Sequence, residues 1–171
     1  MSITAIIQYI ILLLLIALTL FNLYNFTVGK RRRKSAHTDY KRTIALLEQD
    51  ALAVVKKEKL RFETQIGYIN DQNQGILLTF DKEGEMVGIF LTGEHHIIRF
   101  DEFISATRHY TERENKRITA IVVDVETTTS VLTITFGSRT YRASSYLGKF
   151  ILSDSEEFAS RITDHLRRPG R

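Results

Sequence analysis

The hydrophobic pattern of the first third of the chain begins with a long apolar run. Residues 3–28 are almost all apolar, and an unbroken block of isoleucine and leucine forms their centre. A helix of about 20 residues is long enough to cross the hydrocarbon core of a bilayer. A cleavable signal peptide would need positive charge before the run and a small-residue cleavage site after it, and neither is present. The pattern therefore predicts a transmembrane anchor over residues 1–29.

A cluster of five basic residues follows this run, whereas no charged residue precedes it. The cluster consists of Lys30, Arg31, Arg32, Arg33 and Lys34. Because basic residues flanking a span favour the cytoplasmic side, the sequence predicts a single-pass protein of the cell (inner) membrane with its amino terminus outside and its carboxyl-terminal part in the cytoplasm. Within a basic juxtamembrane segment over 30–38, the five residues are also the candidate lipid-proximal site, and the alternative is that they only set topology.

The pattern then takes a helical period over residues 39–60. Apolar residues recur at spacings of four and three, at Tyr40, Ile44, Leu47, Ala51 and Val54. This spacing predicts an amphipathic connector helix, and it lasts for little more than two heptads. Two interpretations stay open: packing of the seam on the helix's own domain, and self-association through it.

From residue 61 onward the period becomes two. Short runs such as Ile76, Leu78 and Phe80 alternate with residues of the opposite face, and turn residues separate the runs. About seven strands at this spacing are typical of a small antiparallel sandwich or barrel. Residues 61–70 can be read as a strand or as the end of the connector helix.

The last element predicted is a helix. Ser153 precedes Glu156 by three residues, which is the spacing of a capping box, and Phe158, Ile162 and Leu166 form an apolar stripe. The proline at 169 ends the helix and leaves 169–171 as a tail. A single apolar face predicts that this helix covers the open end of the strands.

Composition changes the picture mainly through charge. The 171 residues carry a formal net charge of +4, with 24 basic and 20 acidic residues. Outside the five-residue cluster, the chain has 19 basic and 20 acidic residues. A nearly neutral domain does not predict a nucleic-acid partner, since that binding depends on positive charge. The absence of cysteine excludes a disulfide-stapled fold and a thiolate metal site.

Candidate chemistry is sparse. His95 and His96 are adjacent, and neighbouring residues of a strand point to opposite faces, so the pair cannot chelate one ion. No nucleophile elbow and no glycine-rich phosphate loop occurs in the sequence. We therefore expect no enzyme activity, no metal and no cofactor.

The strand region resembles a known family. Seven short strands followed by one helix is the order of elements in the pleckstrin-homology superfold. The stretches GILLTFDKEGEMVGIFL, HHIIRFDEFISATRHY and VLTITFGSRTYRA, followed by the closing helix, resemble bacterial PH-like domains. The run from Phe100 to Ser105 is similar to the "aromatic-Asp-x-x-Ile-Ser" pattern that opens their fourth strand. The resemblance covers residues 75–168 and implies a PH-like domain with a carboxyl-terminal capping helix over 61–168.

The resemblance also implies a function. In PH-like folds the groove between the strand at 103–111 and the final helix often takes protein ligands. As the resemblance implies, the lipid-binding members carry a basic socket on the first hairpin. In this sequence the first hairpin has three acidic residues, Asp81, Glu83 and Glu85, and one basic residue, Lys82. Its negative charge opposes the binding of anionic headgroups. The sequence thus predicts a membrane-tethered, non-catalytic interaction or scaffold module, with the bilayer and protein partners in a membrane-associated assembly. The alternatives are a lipid-sensing module that uses the basic cluster and an accessory subunit of a transporter or defence complex.

Overall fold

The computed structural model describes the backbone of residues 3–81 and 85–166, and the side chains of 9–22, 24, 40–81 and 85–166. Its elements are α1 (Ile3–Glu58), β1 (Thr64–Ile69), β2 (Gly75–Phe80), β3 (Met86–Leu91), β4 (Glu94–Arg99), β5 (Phe103–Arg113), a 3-10 turn (Glu114–Lys116), β6 (Arg117–Thr127), β7 (Val131–Gly137), β8 (Tyr141–Arg142) and α2 (Tyr146–Leu166). The chain divides into two compact units, residues 1–39 and 40–171.

The predicted transmembrane anchor requires correction. Among the described residues, none of the helices combines the length and the apolar character needed to cross a membrane. This finding contradicts the predicted transmembrane helix, the single-pass inner-membrane location and the cytoplasmic placement of the carboxyl-terminal part that was deduced from it.

The five residues of the basic cluster, 30–34, fall within the backbone of α1. Their side chains lie outside the described part of the chain. A contact between this cluster and lipid headgroups therefore stays a prediction that the structure does not address.

The second unit is a mainly-β fold of two antiparallel sheets. Sheet 1 has the order β1-β2-β3-β4, and sheet 2 has the order β5-β6-β7, with β8 pairing to the first residues of β6. All six residues of β2 are buried, because one face of sheet 1 lines the main core while the other face is covered by a helix. The strand interpretation of 61–70 is the correct one, since Thr64–Ile69 pairs along β2.

The second half of α1 covers the outer face of sheet 1. Ile44, Leu47 and Ala51 are buried in a cluster with Leu77 of β2 and Phe90 of β3. These three residues belong to the heptad seam, so in this structure the seam packs on its own domain. Self-association through this helix stays a prediction.

Close approach of this helix depends on a glycine in β1. A Cβ atom built at Gly67 would lie 2.9 Å from Cδ1 of Ile44, nearer than real Cβ contacts come. The hydroxyl of Tyr40 also donates to the carbonyl of Gly67 at 3.1 Å. Glycine at this position therefore lets the helix lie directly on the strand.

The main core lies between the two sheets and is closed by α2. Phe158 of α2 contacts Tyr68 of β1 and Phe136 of β7, with ring centroids 5.5 and 5.3 Å apart. Ile151 and Ile162 of the same helix are buried in this core. The helix thus covers the open end of the strands, where the apolar stripe predicted it to pack.

One corner between the sheets is held together by Asp71, which follows β1. Its carboxylate accepts hydrogen bonds from the backbone N–H groups of Ser138 and Arg139 and from the Tyr141 hydroxyl, each at 2.8 Å. Partial burial opposes ionisation of Asp71, but these donors outweigh it and hold the pKa of Asp71 below its usual range. Burial, with the bond to Asp71, raises the pKa of Tyr141 to about 12.

The closing helix begins earlier than its sequence signals indicate. Ser153 and Glu156 lie inside α2, and the helix starts at Tyr146. Ser145 is the residue that caps it, because its hydroxyl accepts the N–H of Gly148 at 3.1 Å. The capping-box spacing at Ser153 was misleading, since burial of Gly148 and Ile151 extends the packed face by two further turns.

We expect Ser145→Ala to lower the free energy of unfolding by about 1 kcal/mol, as loss of an amino-terminal cap typically does. Ser153→Ala, an exposed position inside the helix, should change it by less than about 0.5 kcal/mol. Urea unfolding of the full chain followed by circular dichroism measures both. A larger loss at Ser153 than at Ser145 would place the start of the helix where the capping box indicates.

We expect Asp71→Asn to destabilise the chain at neutral pH by about 1–3 kcal/mol, the usual cost of weakening hydrogen bonds to a partly buried charged group. Because the pKa of Asp71 is lowered on folding, its contribution is present above the unfolded pKa near 4 and disappears as the pH falls through the folded pKa. The difference between wild type and variant should therefore shrink as urea unfolding is repeated at pH values falling below about 4. Asp101→Asn, at an exposed position, is the control.

Candidate functional site: the β5–α2 groove

β5 forms a free edge of sheet 2. It extends over 11 residues, from Phe103 to Arg113, and pairs with β6 on one side only. Within the described part of the chain, its other edge has no strand partner. In an antiparallel ladder alternate residues direct their N–H and C=O groups away from the paired strand. The edge is therefore a template on which an extended chain can form backbone hydrogen bonds.

The helix α2 lies alongside this strand and is fixed to it by Arg108. Nη1 of Arg108 donates to the carbonyl of Leu152 at 3.1 Å and lies 3.0 Å from the carboxylate of Glu156. The guanidinium also lies over the ring of Tyr110, 5.5 Å from its centroid. We call the surface where β5 adjoins these residues of α2 the β5–α2 groove. One arginine thus joins its two sides.

Large apolar side chains are exposed on both elements, but on separate surfaces. On β5, Ile104 is 53% and Tyr110 is 43% exposed; on α2, Tyr146 is 85%, Leu147 is 48% and Phe150 is 48% exposed. Phe150 lies one turn before Asp154 and two turns before Glu157, so it belongs to the flank of α2 opposite to the one that Arg108 contacts. The rings of Tyr146 and Phe150 stack with their centroids 6.4 Å apart. Apolar side chains grouped on a surface indicate an interaction site more than the same residues scattered singly would.

The opposite flank of α2 faces β1 and has a different chemistry. The hydroxyl of Tyr68 is buried, and among the described residues it makes no hydrogen bond of regular geometry, although its interaction with Arg161 acts to lower its pKa. Burial raises its pKa to about 12, with a further contribution from Glu157. Burial also raises the pKa of Asp154 to about 6, and the negative charge of Glu157 adds to the shift. Glu157 itself pairs with Arg161 at 2.7 Å.

The two histidines that suggested metal chemistry have separate partners. The ring of His95 stacks on Phe90 and lies 3.7 Å from the carboxylate of Glu58. His96 lies 3.1 Å from the carboxylate of Glu94. Across the described residues, no group of three or more His, Cys, Asp or Glu side chains is placed to hold a metal ion.

The first hairpin uses one of its acidic residues internally. The Asp81 carboxylate lies 3.0 Å from Nε2 of His165 on α2 and accepts the N–H groups of Glu85 and Met86. Burial opposes ionisation, but these hydrogen bonds hold the pKa of Asp81 below its usual range. Asp81 thus anchors the end of α2. Residues 82–84 of this hairpin, which include Glu83, lie outside the described residues.

Sequence reasoning missed the exposed residues at the start of α2. In the segment 146–152, apolar and polar residues do not alternate as they do in a strand, and the sequence pattern assigns no element to it. If the helical period of the stripe at Phe158 is continued toward the amino terminus, Ile151 falls on the buried face and Tyr146 and Phe150 fall outside it. The signal was therefore present, but the capping-box spacing at Ser153 ended the helix too early.

Comparison with protein-family models, with curated proteins and with solved structures finds no match to this chain. The resemblance to PH-like domains stays a prediction for this reason. Any functional assignment has to rest on the geometry of the described residues.

We expect Asp154→Asn to stabilise the chain at neutral pH and to have little effect near pH 4. The pKa of Asp154 is raised on folding, so ionisation is disfavoured in the folded state and its carboxylate destabilises the fold increasingly as the pH rises through about 6. Urea unfolding at several pH values measures the difference between wild type and variant. The exposed Asp101→Asn variant should show no such dependence on pH, and a constant difference for Asp154→Asn would contradict the expectation.

Proposed function

We propose that residues 61–166 form a non-catalytic protein-interaction module that binds an extended segment of a partner protein in the β5–α2 groove. The observation that carries the proposal is the free edge of β5, 11 residues long and beside a helix. Another extended backbone is the ligand that satisfies such an edge, because it supplies N–H and C=O groups at the spacing of the ladder.

The exposed apolar side chains support the same ligand. Ile104 and Tyr110 are exposed on β5 itself, where side chains of an added strand can contact them. Large exposed anchors of this kind contribute most of the binding energy in many interfaces. The backbone of β5 would supply general affinity, and these two side chains would select the sequence.

The domain is proposed to be PH-like. Two four-stranded antiparallel sheets, the second of which includes the two-residue strand β8 beside β6, are closed by a final helix and are compatible with the element order of that superfold. The resemblance implies protein ligands beside the strand at 103–111, which corresponds to β5 of this structure. The location of the free edge supports that implication.

The absence of catalysis is part of the proposal. The charged groups with the strongest contacts each hold two elements of the fold together: Asp71 joins the corner of the sheets, Asp81 anchors the end of α2, and Arg108 joins β5 to α2. Groups used in this way are positioned for stability. The exposed groove beside them is suited to binding.

The test uses peptides selected against the full chain from a random-peptide display library. Bound peptide should slow amide hydrogen exchange in β5 and leave β4, the last strand of sheet 1, unchanged. Ile104→Ala and Tyr110→Ala should each weaken binding of the selected peptide by about tenfold or more, the loss typical of interface anchors.

The matched controls are Leu46→Ala and Leu52→Ala, which remove equally exposed apolar side chains of α1, 55% and 56% exposed. These variants should keep the wild-type affinity. The proposal fails if no peptide protects β5 from exchange, or if the controls weaken binding as much as the groove variants do.

A further inference from the structure

Three arginines form a row across three neighbouring strands. Arg113 of β5 is directly opposite Arg117 of β6, and Arg117 is directly opposite Arg142 of β8. Residues directly opposite in an antiparallel ladder point to the same face. Ile118, the next residue along β6, is buried in the core, so the three arginines lie on the outer face of sheet 2. All three are exposed.

Within the described part of the chain, none of these three arginines has a carboxylate within 4 Å, whereas Arg108 and Arg161 each have one. Glu112 and Glu114 border the same surface pocket as Arg113 and Arg117. Glu112 is opposite Ile118, so its side chain points to the other face, and Lys116 offsets the charge of Glu114. Asp124 lies seven residues along β6, about 23 Å away, well beyond the screening length of roughly 10 Å.

Such a row is unfavourable in the isolated chain. Like charges directly opposite each other destabilise a pair of strands, and here two such pairs share the central Arg117. The row ends at Arg113, on the free edge of the sheet. A strand added to β5 would place one of its own residues directly opposite Arg113 and so extend the row by one position.

Resting on the proposed function, we propose that the partner segment carries an aspartate or glutamate at the position opposite Arg113. The guanidinium group holds a carboxylate through two parallel hydrogen bonds, which a neutral side chain cannot replace. Arg117 lies one strand further, about 5 Å away, and adds to the attraction. The row thereby selects the charge of the ligand and the register in which it adds to β5.

A nucleic acid is the rival ligand, because exposed aromatic rings beside basic side chains can bind single strands. The acidic segment is favoured since the row extends directly from a free strand edge, where a protein backbone can pair. Outside the basic cluster the chain is also nearly neutral, with 19 basic and 20 acidic residues, which offers little of the positive surface that a nucleic acid requires.

The experiment is a comparative selection of peptides from the random library. Wild-type protein should enrich Asp or Glu at one fixed distance from the apolar anchor residues. The triple variant Arg113→Glu, Arg117→Glu, Arg142→Glu should instead enrich Lys or Arg at that position. The control triple variant, Lys41→Glu, Lys56→Glu, Lys57→Glu, makes the same change in net charge on exposed positions of α1 and should keep the preference for acid.

Affinity measurements complete the test. Replacing the selected Glu by Gln should weaken binding to wild type by about tenfold at low salt, and by much less at high salt. The same replacement should not weaken the binding of the peptide to the triple arginine variant.

The outcomes separate the two proposals. Peptides that protect β5 from exchange but show no preference for acid, or a preference that survives the triple arginine variant, would overturn this inference and leave the proposed function in place. Absence of any peptide that protects β5 would overturn both. Tighter, row-dependent binding of single-stranded oligothymidine than of any selected peptide would assign the row to nucleic acid and also overturn the inference.

Discussion

The contact of Phe158 with Tyr68 and Phe136 is the interaction on which the rest of the fold depends. These three rings come from α2, β1 and β7, so a single cluster joins the closing helix to both sheets. Without the helix, the inner faces of the two sheets would be open to water at one end, and burial of apolar area is the dominant favourable contribution to folding. The position of α2 follows from this contact, and so does the position of the groove beside it.

Because α2 is placed by its buried face, its two flanks meet different strands and acquire different properties. On one flank Arg108 joins β5 to the carbonyl of Leu152 and to Glu156, and the edge of the strand stays open. On the other flank, burial keeps Tyr68 and Asp154 from water and raises the pKa of both residues. The first flank is suited to binding a chain, whereas the second makes stability depend on pH.

The charges of the domain are distributed unevenly for a related reason. Asp71 and Asp81 are surrounded by donors because each lies at a junction between elements, where backbone N–H groups lack partners in a ladder. The arginines of the row lie on an outer sheet face, where the neighbours are other exposed side chains. The unpaired positive charge is thus concentrated beside the free strand edge, next to the proposed binding surface.

Local signals in the sequence were sufficient for the strands and for the stripe of the closing helix. Alternation at Ile76, Leu78 and Phe80 predicts a strand because period two is a property of the backbone itself. The same signals misled at both ends of the chain, where an apolar run predicted a membrane span and the spacing of Ser153 and Glu156 predicted a helix start. A short sequence pattern predicts which type of element a segment can form. It does not predict where that element begins and ends, because burial against neighbouring elements can extend it.

Only the tertiary structure decided which faces are covered and which residues meet. The heptad seam does not indicate by itself which surface covers it, and in the tertiary structure Leu77 of β2 and Phe90 of β3 pack against its buried residues. Arg113, Arg117 and Arg142 are separated in sequence and come into line only through the register of three strands. By itself the sequence determined the mainly-β character of the domain and the helix that closes it, since these depend on periodicity. The free edge of β5, the burial of Tyr68 and the arginine row depend on pairings between distant residues, which no local pattern contains.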